Sequence, residues 1–452
     1  MQQTAQVSPR KAFYRNMCVL SIPIILQNLI NAAVNSADTV MLGFVSKDAL
    51  SASSLANQVY FILTIVFYGL ISGASMLTAQ YWGKGDKVTI ERVIGIALRF
   101  SIAAGAMFAC VTWCAPEMLM RIYTSEEPII REGVEYLRII AITYVLSGFS
   151  MAYLNIMRSV ERVMLSTVTY FISLGLNVLL NAAFIFGWFG EPMGLKCVAI
   201  ATVIARCVEV CICLVDASTN KVARVRLKYI LDFKGSKVLM KDFLRFALPT
   251  MGNEIVWSVG FSAYSAILGH MGSDAVAANS ICYIMYEMVT SVILGVANGS
   301  AVLVGKIIGE GDWAYARACV SRLVRVYAVL GVVCAVLVFA VGLPMLALYD
   351  IQPGTVALAK QLLGVYAFAM FFQAFTCPLI SGVLRGGGDT RFAMAVDAGC
   401  IWAMVPLGAA AAFLLGAPAA VVLFVLKFDM PVKAVLCLRR LAGGQWMRSV
   451  TR

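Results

Sequence analysis

Two stretches of this chain decide its fold. Residues 69–86 read GLISGASMLTAQYWGKGD and residues 295–312 read GVANGSAVLVGKIIGEGD. A shift of 226 positions, half of the 452-residue chain, carries Gly69 onto Gly295, Gly73 onto Gly299 and Gly85-Asp86 onto Gly311-Asp312. The same shift carries Pro23 onto Pro249, Ser36-Ala37 onto Ser262-Ala263, Leu42-Gly43 onto Leu268-Gly269 and Asp48-Ala49 onto Asp274-Ala275. The chain is therefore two copies of one long unit. Such duplication of apolar segments is a construction of secondary transporters, whose site lies between the copies.

Composition names the solvent of this chain. It is 61% hydrophobic and 13% charged, with a mean hydropathy of +0.85, whereas soluble domains carry roughly 25% charge. One core cannot absorb that much apolar surface, so the lipid bilayer must be the partner. Twelve apolar segments of near-spanning length run from Met17–Gly43 to Ala417–Leu438, each close to the ~20 residues a bilayer requires. The expectation is an all-α integral membrane protein with two six-helix bundles. Each copy holds an even number of spans, so the bundles are parallel repeats related by a pseudo-two-fold axis along the membrane normal. The expected divisions are 1–220, a basic cytoplasmic linker at 221–245, and 246–452.

The net charge of +12 does not signal nucleic acid, because the basic residues cluster in short loops between apolar spans. With both termini in the cytoplasm, most Lys and Arg are internal. Lys47, Arg121, Arg131, Arg138, Lys196 and Lys360 are the ones outside, which obeys the positive-inside rule. The location is then the cytoplasmic membrane. The segment from Asp216 to Arg245 reads as a solvated linker near anionic headgroups. The first apolar run is followed by no small-residue cleavage site and reads as a span. The thirteen Cys have no framework spacing, and Cys211 and Cys213 read as packing.

Polar groups inside spans need a partner or a function, since a carboxylate at the span centre costs about 2.5–3.5 kcal/mol. The first span carries Asn28, Asn31, Asn35 and Asp38 on one helical face. The fifth carries Ser173, Asn177 and Asn181 at one-turn spacing, and the sixth carries Thr202. These oxygens suit a small hard cation, or Asp38 a proton; the competing reading is a polar seam that joins helices. In the second copy Glu254 stands at the position of Asn28, near Trp257. Glu287 lies one turn from Tyr283, and Asp397 lies in the eleventh span. Carboxylates beside aromatics and Met suit a lipophilic cation. Arg206 and Glu209 should pair with each other. Lys427 and Asp429 interrupt the last span and mark it as polar.

The sole His, His270, builds no metal site, and no metal or cofactor is expected. RGGGDTR (385–391) lacks the strand and the GK[ST] of a phosphate loop, so it reads as a tight turn, as do WGKGD and IGEGD. No Walker A sequence occurs, and no nucleophile motif supports an enzyme.

The ordered motifs resemble the MATE (multidrug and toxic compound extrusion) family along essentially the whole chain. They are Pro23, Asn28, Asp38 and Gly43; Gln80, Gly83, Gly85 and Asp86; Asn177 and Asn181; Ala199, Ala201 and Thr202; and Arg385, Gly386, Gly388, Asp389 and Thr390. The resemblance implies a cation-coupled antiporter, driven by Na⁺ or H⁺, that exports organic cations, drugs or metabolites; the chain itself is expected to act as a monomer. The resemblance also implies that Asp38, Asn177, Asn181 and Thr202 belong to the ion-responsive site of the first bundle; the residues themselves make Asn35, Glu254, Trp257, Tyr283, Glu287 and Asp397 the expected substrate-binding set. Family members with a well-formed sodium site carry an acid where this chain has Asn181, which leaves Na⁺ and H⁺ both open. A flippase for lipid-linked sugars is the alternative, although the evident midplane charges are mostly acidic.

Overall fold

The computed structural model describes residues 9–185, 194–220, 224–232, 237–346 and 352–450, apart from a few side chains that include those of 32–40 and 43–45. All regular structure among them is helical: α1 Pro9–Val45, α2 Lys47–Lys84, α3 Lys87–Cys114, α4 Pro116–Arg121, α5 Glu127–Ser159, α6 Val163–Ile185, α7 Leu195–Thr219 and α8 Leu227–Leu231, then α9 Lys237–Gly269, α10 Ser273–Glu310, α11 Trp313–Leu346, α12 Pro353–Cys377, α13 Thr390–Phe413, α14 Ala419–Lys427 and α15 Asp429–Ala442. A π-helical stretch, Pro378–Leu384, continues α12.

Ten of these helical stretches are long and apolar enough to cross a membrane. The other two of the twelve expected spans are α9 and the α14–α15 pair. Mid-helix, α9 carries Pro249, Thr250, Asn253 and Glu254, which lowers its apolarity. The last span is not one helix: it breaks at Phe428, between Lys427 and Asp429. Outward faces carry large apolar side chains, among them Met107 and Trp113 on α3, Phe171 and Leu179 on α6, and Val329 and Val336 on α11. Helices satisfy their own backbone polar groups, so such faces are stable in hydrocarbon.

The repeated turn has a plain physical basis. Gly85 ends α2 at φ +79° and Gly311 ends α10 at φ +80°, a left-handed backbone that glycine adopts without Cβ strain. The following Asp caps the next helix. Asp86 Oδ1 accepts from the Thr89 amide at 3.0 Å, and Asp86 Oδ2 from its hydroxyl at 2.6 Å. Asp312 Oδ1 accepts from the Tyr315 amide at 2.9 Å. Partial burial pushes the Asp86 carboxyl up, but the Thr89 bonds outweigh it and leave the group below the ordinary carboxylate range. Because the folded value is depressed, the cap contributes at neutral pH and is lost as acid protonates it. Asp86→Ala is expected to cost about 1 kcal/mol, read as a lower melting temperature at pH 7; an unchanged value would mean that the cap contributes nothing.

The chain forms two compact units. One is Leu26–Met251; the other joins the chain up to Ile25 with Gly252–Arg452. The divisions fall inside α1 and α9, not in the loop before α9, so each unit takes a helix segment from the other sequence copy. Glycines make this possible. In the unit Leu26–Met251, Gly69 and Gly73 of α2 lie against Met251 and Ala247 of α9. A Cβ on Gly73 would come within 2.8 Å of the Ala247 amide nitrogen. In the other unit, Gly295 and Gly299 of α10 lie against Ile25 and Ser21 of α1, and a Cβ on Gly295 would sit 2.9 Å from the Ile25 backbone. Ile25 and Met251 are 226 positions apart, as are Ser21 and Ala247. The duplicated sequence thus makes the same contact twice with partners exchanged. Small residues let backbones approach closely where lipid offers no hydrophobic drive.

The expected solvated linker is corrected in part. Arg226 pairs with Glu91 at 2.9 Å, and Arg99 donates to the carbonyls of Tyr229, Ile230 and Asp232 at 2.8–3.1 Å. Residues 224–232 therefore dock on α3; 221–223 and 233–236 lie outside the described residues.

Candidate functional site

Within the unit Leu26–Met251, α6 and α7 bring their polar residues together. Asn181 Nδ2 donates to Asn177 Oδ1 at 3.3 Å, and Asn177 Nδ2 donates to Thr202 Oγ1 at 3.2 Å. Thr202 in turn donates to the Val198 carbonyl at 2.9 Å. Asn177 and Asn181 are buried. The one-turn spacing on α6 makes this chain of bonds, and Thr202 meets it from α7. One turn before Asn177 on α6, Ser173 donates to Glu209 Oε2 at 3.1 Å. Arg206 reaches the same oxygen at 2.7 Å, and Glu209 is fully buried. The expected Arg206–Glu209 pair is present. Asp38 and Asn35 are helical positions in α1, but their side chains lie outside the described residues.

A second cluster stands in the unit containing Gly252–Arg452. Asn253 on α9 donates to Asp397 Oδ2 on α13 at 2.9 Å. The Lys433 ammonium lies 2.8 Å from Asp397 Oδ1 and 2.7 Å from Asp429 Oδ2. Asp429 and Lys433 are almost wholly buried, at 0% and 1% exposure, and the i, i+4 spacing on α15 aims them together. Next on α9, Glu254 pairs with Arg385 at 2.9 Å. Lys427 is buried against rings, its ammonium 4.8 Å from the Tyr286 centroid, 5.6 Å from Tyr366 and 5.9 Å from Phe261. The aromatics continue outward as a row. Trp257 stacks on Phe261 at 5.6 Å, Phe261 meets Tyr283 at 5.3 Å, and Tyr283 meets Tyr286 at 6.3 Å. Trp257 is 37% exposed.

Several expectations change here. Glu287 is exposed and joins neither cluster. Glu254 already has a cation, Arg385. Interior charge in this unit is mixed rather than mostly acidic, because Arg385, Lys427 and Lys433 stand among the acids. Lys427 and Asp429 face different ways, yet both are buried, since the break at Phe428 re-aims the chain between them. Reading the residues alone missed Asn253, Lys433 and the pairing role of Arg385. The signal for Lys433 was legible: a Lys four residues after an Asp inside an apolar span. Among the described residues no group of three or more His, Cys, Asp or Glu is placed to hold a metal ion. RGGGDTR is a turn, with Gly388 at φ +83°. Its Asp389 is held by Arg440 at 2.8 Å and Arg448 at 3.2 Å. His270 is exposed, its Nδ1 2.8 Å from the Ala266 carbonyl.

The Arg385 pair sets an expectation for Glu254→Gln. The variant strands a mostly buried guanidinium, which should cost about 1–3 kcal/mol. The melting temperature should fall, and a matched cationic and neutral ligand should lose affinity equally. A loss confined to the cationic ligand at unchanged melting temperature would return Glu254 to charge recognition.

Comparison with known proteins follows the duplication. A sequence model of the MatE family matches residues 23–183 and again 249–410. The probable multidrug resistance protein NorM of Thermotoga maritima is 25% identical over 395 residues, covering 86% of this chain and 83% of that protein. The probable multidrug resistance protein YoeA of Bacillus subtilis is 23% identical over 404 residues, covering 88% and 86%. Among solved structures, a MATE protein in a bent conformation superposes with a TM-score of 0.85 at 18% identity, covering 97% of each chain. A transporter of the same superfamily from Pyrococcus furiosus, described by the reverse polarity of its binding pocket, gives 0.82 at 17% identity, covering 96% of this chain and 97% of that one.

Proposed function

The chain belongs to the MatE family, and on that footing we propose that it is a cation-coupled antiporter of the cell membrane that exports lipophilic organic cations. The relatives named as multidrug resistance proteins support efflux as the direction. The observation that carries the coupling reading is the buried bond chain Asn181–Asn177–Thr202 in the first unit. Such a chain lines up oxygens and amides inside an apolar pair of helices, and it suits a small hard cation or a proton held by Asp38. Substrate is proposed to lie along Trp257, Phe261 and Tyr283, whose ring faces attract a cation while giving apolar contact. Both termini are proposed to be cytoplasmic, from the bias of Lys and Arg, and the working form to be a monomer.

The test is export of an ethidium-like cation from proteoliposomes under Na⁺ and H⁺ gradients imposed separately. Accumulation that follows one gradient and collapses with it is the expected result. Accumulation indifferent to both gradients would end the coupling reading. Preferential binding of an anionic lipid-linked sugar would favour the flippase alternative instead.

A further inference from the structure

The second unit holds a buried carboxylate, a second one that is 15% exposed, and an amide around one buried ammonium. Asp397 arrives on α13, Asp429 and Lys433 on α15, and Asn253 on α9. Lys433 Nζ sits 2.8 Å from one carboxylate and 2.7 Å from the other. Asn253 fixes the remaining Asp397 oxygen at 2.9 Å. Two further acceptors in the cluster, Asn253 Oδ1 and Asp429 Oδ1, are buried and make no hydrogen bond. These are hard oxygen donors of the kind that coordinate small cations.

Charge decides what the cluster can hold. Glu254 and Arg385 neutralise each other. Asp397 and Asp429 supply two negative charges; Lys433 supplies one positive charge between them. Lys427, the other buried cation, is near enough to Asp429 to interact with it electrostatically. The set is balanced with Lys433 in place. Any free cation added to it would leave an uncompensated positive charge in a low-dielectric interior. Without the lysine, the deficit is one unit, which a monovalent ion fills and a divalent ion overfills.

We propose that the Lys433 ammonium is a tethered monovalent cation. It takes the place that Na⁺ would otherwise occupy between Asp397 and Asp429, and it makes this unit indifferent to Na⁺. Lys433 is then a specificity-determining residue for coupling: a cation that is never released cannot couple, so the exchanged ion is left to the first unit. This inference rests on the coupling reading above, but its test does not depend on transport.

The experiment uses the full-length purified protein in an Asp38→Asn background, which removes the first unit's candidate carboxylate. Melting temperature is measured against NaCl, LiCl and choline chloride at equal ionic strength. With Lys433 intact, Na⁺ and choline should give the same value. Adding Lys433→Ala should create a saturable stabilisation by Na⁺ or Li⁺ of about 2–4 °C over choline. A further Asp429→Asn, which removes the charge deficit, should abolish that response. If the lysine variant survives extraction only in sodium or lithium salt, that rescue is the same result in another form. A folded Lys433→Ala protein with no alkali response overturns the proposal and leaves Lys433 a structural ion pair. So does failure to recover the variant in any salt, because a competent site would be filled at saturating Na⁺. An equal response with and without Lys433 overturns it as well. Loss of gradient-driven export by the wild type, by contrast, would end the coupling reading and leave this binding result standing.

Discussion

Asp397→Ala is expected to be among the most damaging single substitutions in the chain, lowering stability by about 3–5 kcal/mol through an uncompensated buried charge. Asp397 touches Asn253 on α9 and Lys433 on α15 from its own place on α13, so one carboxylate ties three helices. Without it, Lys433 keeps only Asp429, and the Asn253 amide loses its acceptor. Hydrocarbon on the outer face cannot supply water to replace these bonds, so the penalty is not relieved by hydration. The measurement is the yield of monodisperse protein after detergent extraction, together with its melting temperature. Asp397→Asn should recover part of the loss, because an amide can still accept from Asn253 and lie beside the ammonium. An alanine variant as stable as the wild type would mean that the cluster is hydrated and that its ion pairs contribute little.

Much of the fold was legible because it rests on patterns that survive without coordinates. Apolar runs of spanning length, the basic bias of loops and the constant displacement between Gly69 and Gly295 are all properties of the string. The exchange of helix segments was not legible. It depends on Gly73 meeting Ala247 and Gly299 meeting Ser21, and pairing across that distance leaves no periodic trace. In the first unit, Asn177, Asn181 and Thr202 were readable because polar residues at one-turn spacing stand out against apolar neighbours. In the second unit, charge was readable and pairing was not. Glu254 looks free in the sequence, since its partner Arg385 lies in a distant turn. Lys433 was legible as the residue one turn after Asp429 on the same helix, but its reach to Asp397 was not, because the break at Phe428 changes the face that follows Lys427 and makes a simple helical reading of the last span misleading.

Asp38→Asn should abolish gradient-driven export while leaving insertion and folding intact. Glu209 is fully buried but is held by Arg206 at 2.7 Å, and Asp216 is held by Arg162 at 2.7 Å. Each is neutralised by a residue of the protein, so neither needs a cation from solution. The amides and hydroxyl of Asn177, Asn181 and Thr202 bond to one another and carry no net charge. Asp38, in the same polar face of α1 by its spacing from Asn28, Asn31 and Asn35, is the carboxylate of that face proposed to be met by Na⁺ or H⁺. Replacing it with an isosteric amide removes the charge at little change in volume, so packing should hold. Uncoupled protein should accumulate no substrate against a gradient, a fall of about 100-fold or more for an interaction worth about 3 kcal/mol. The measurement is proteoliposome transport with extraction yield and melting temperature as controls. Wild-type export by a well-folded Asp38→Asn variant would remove Asp38 from the coupling site. Export lost together with the fold would make the residue structural.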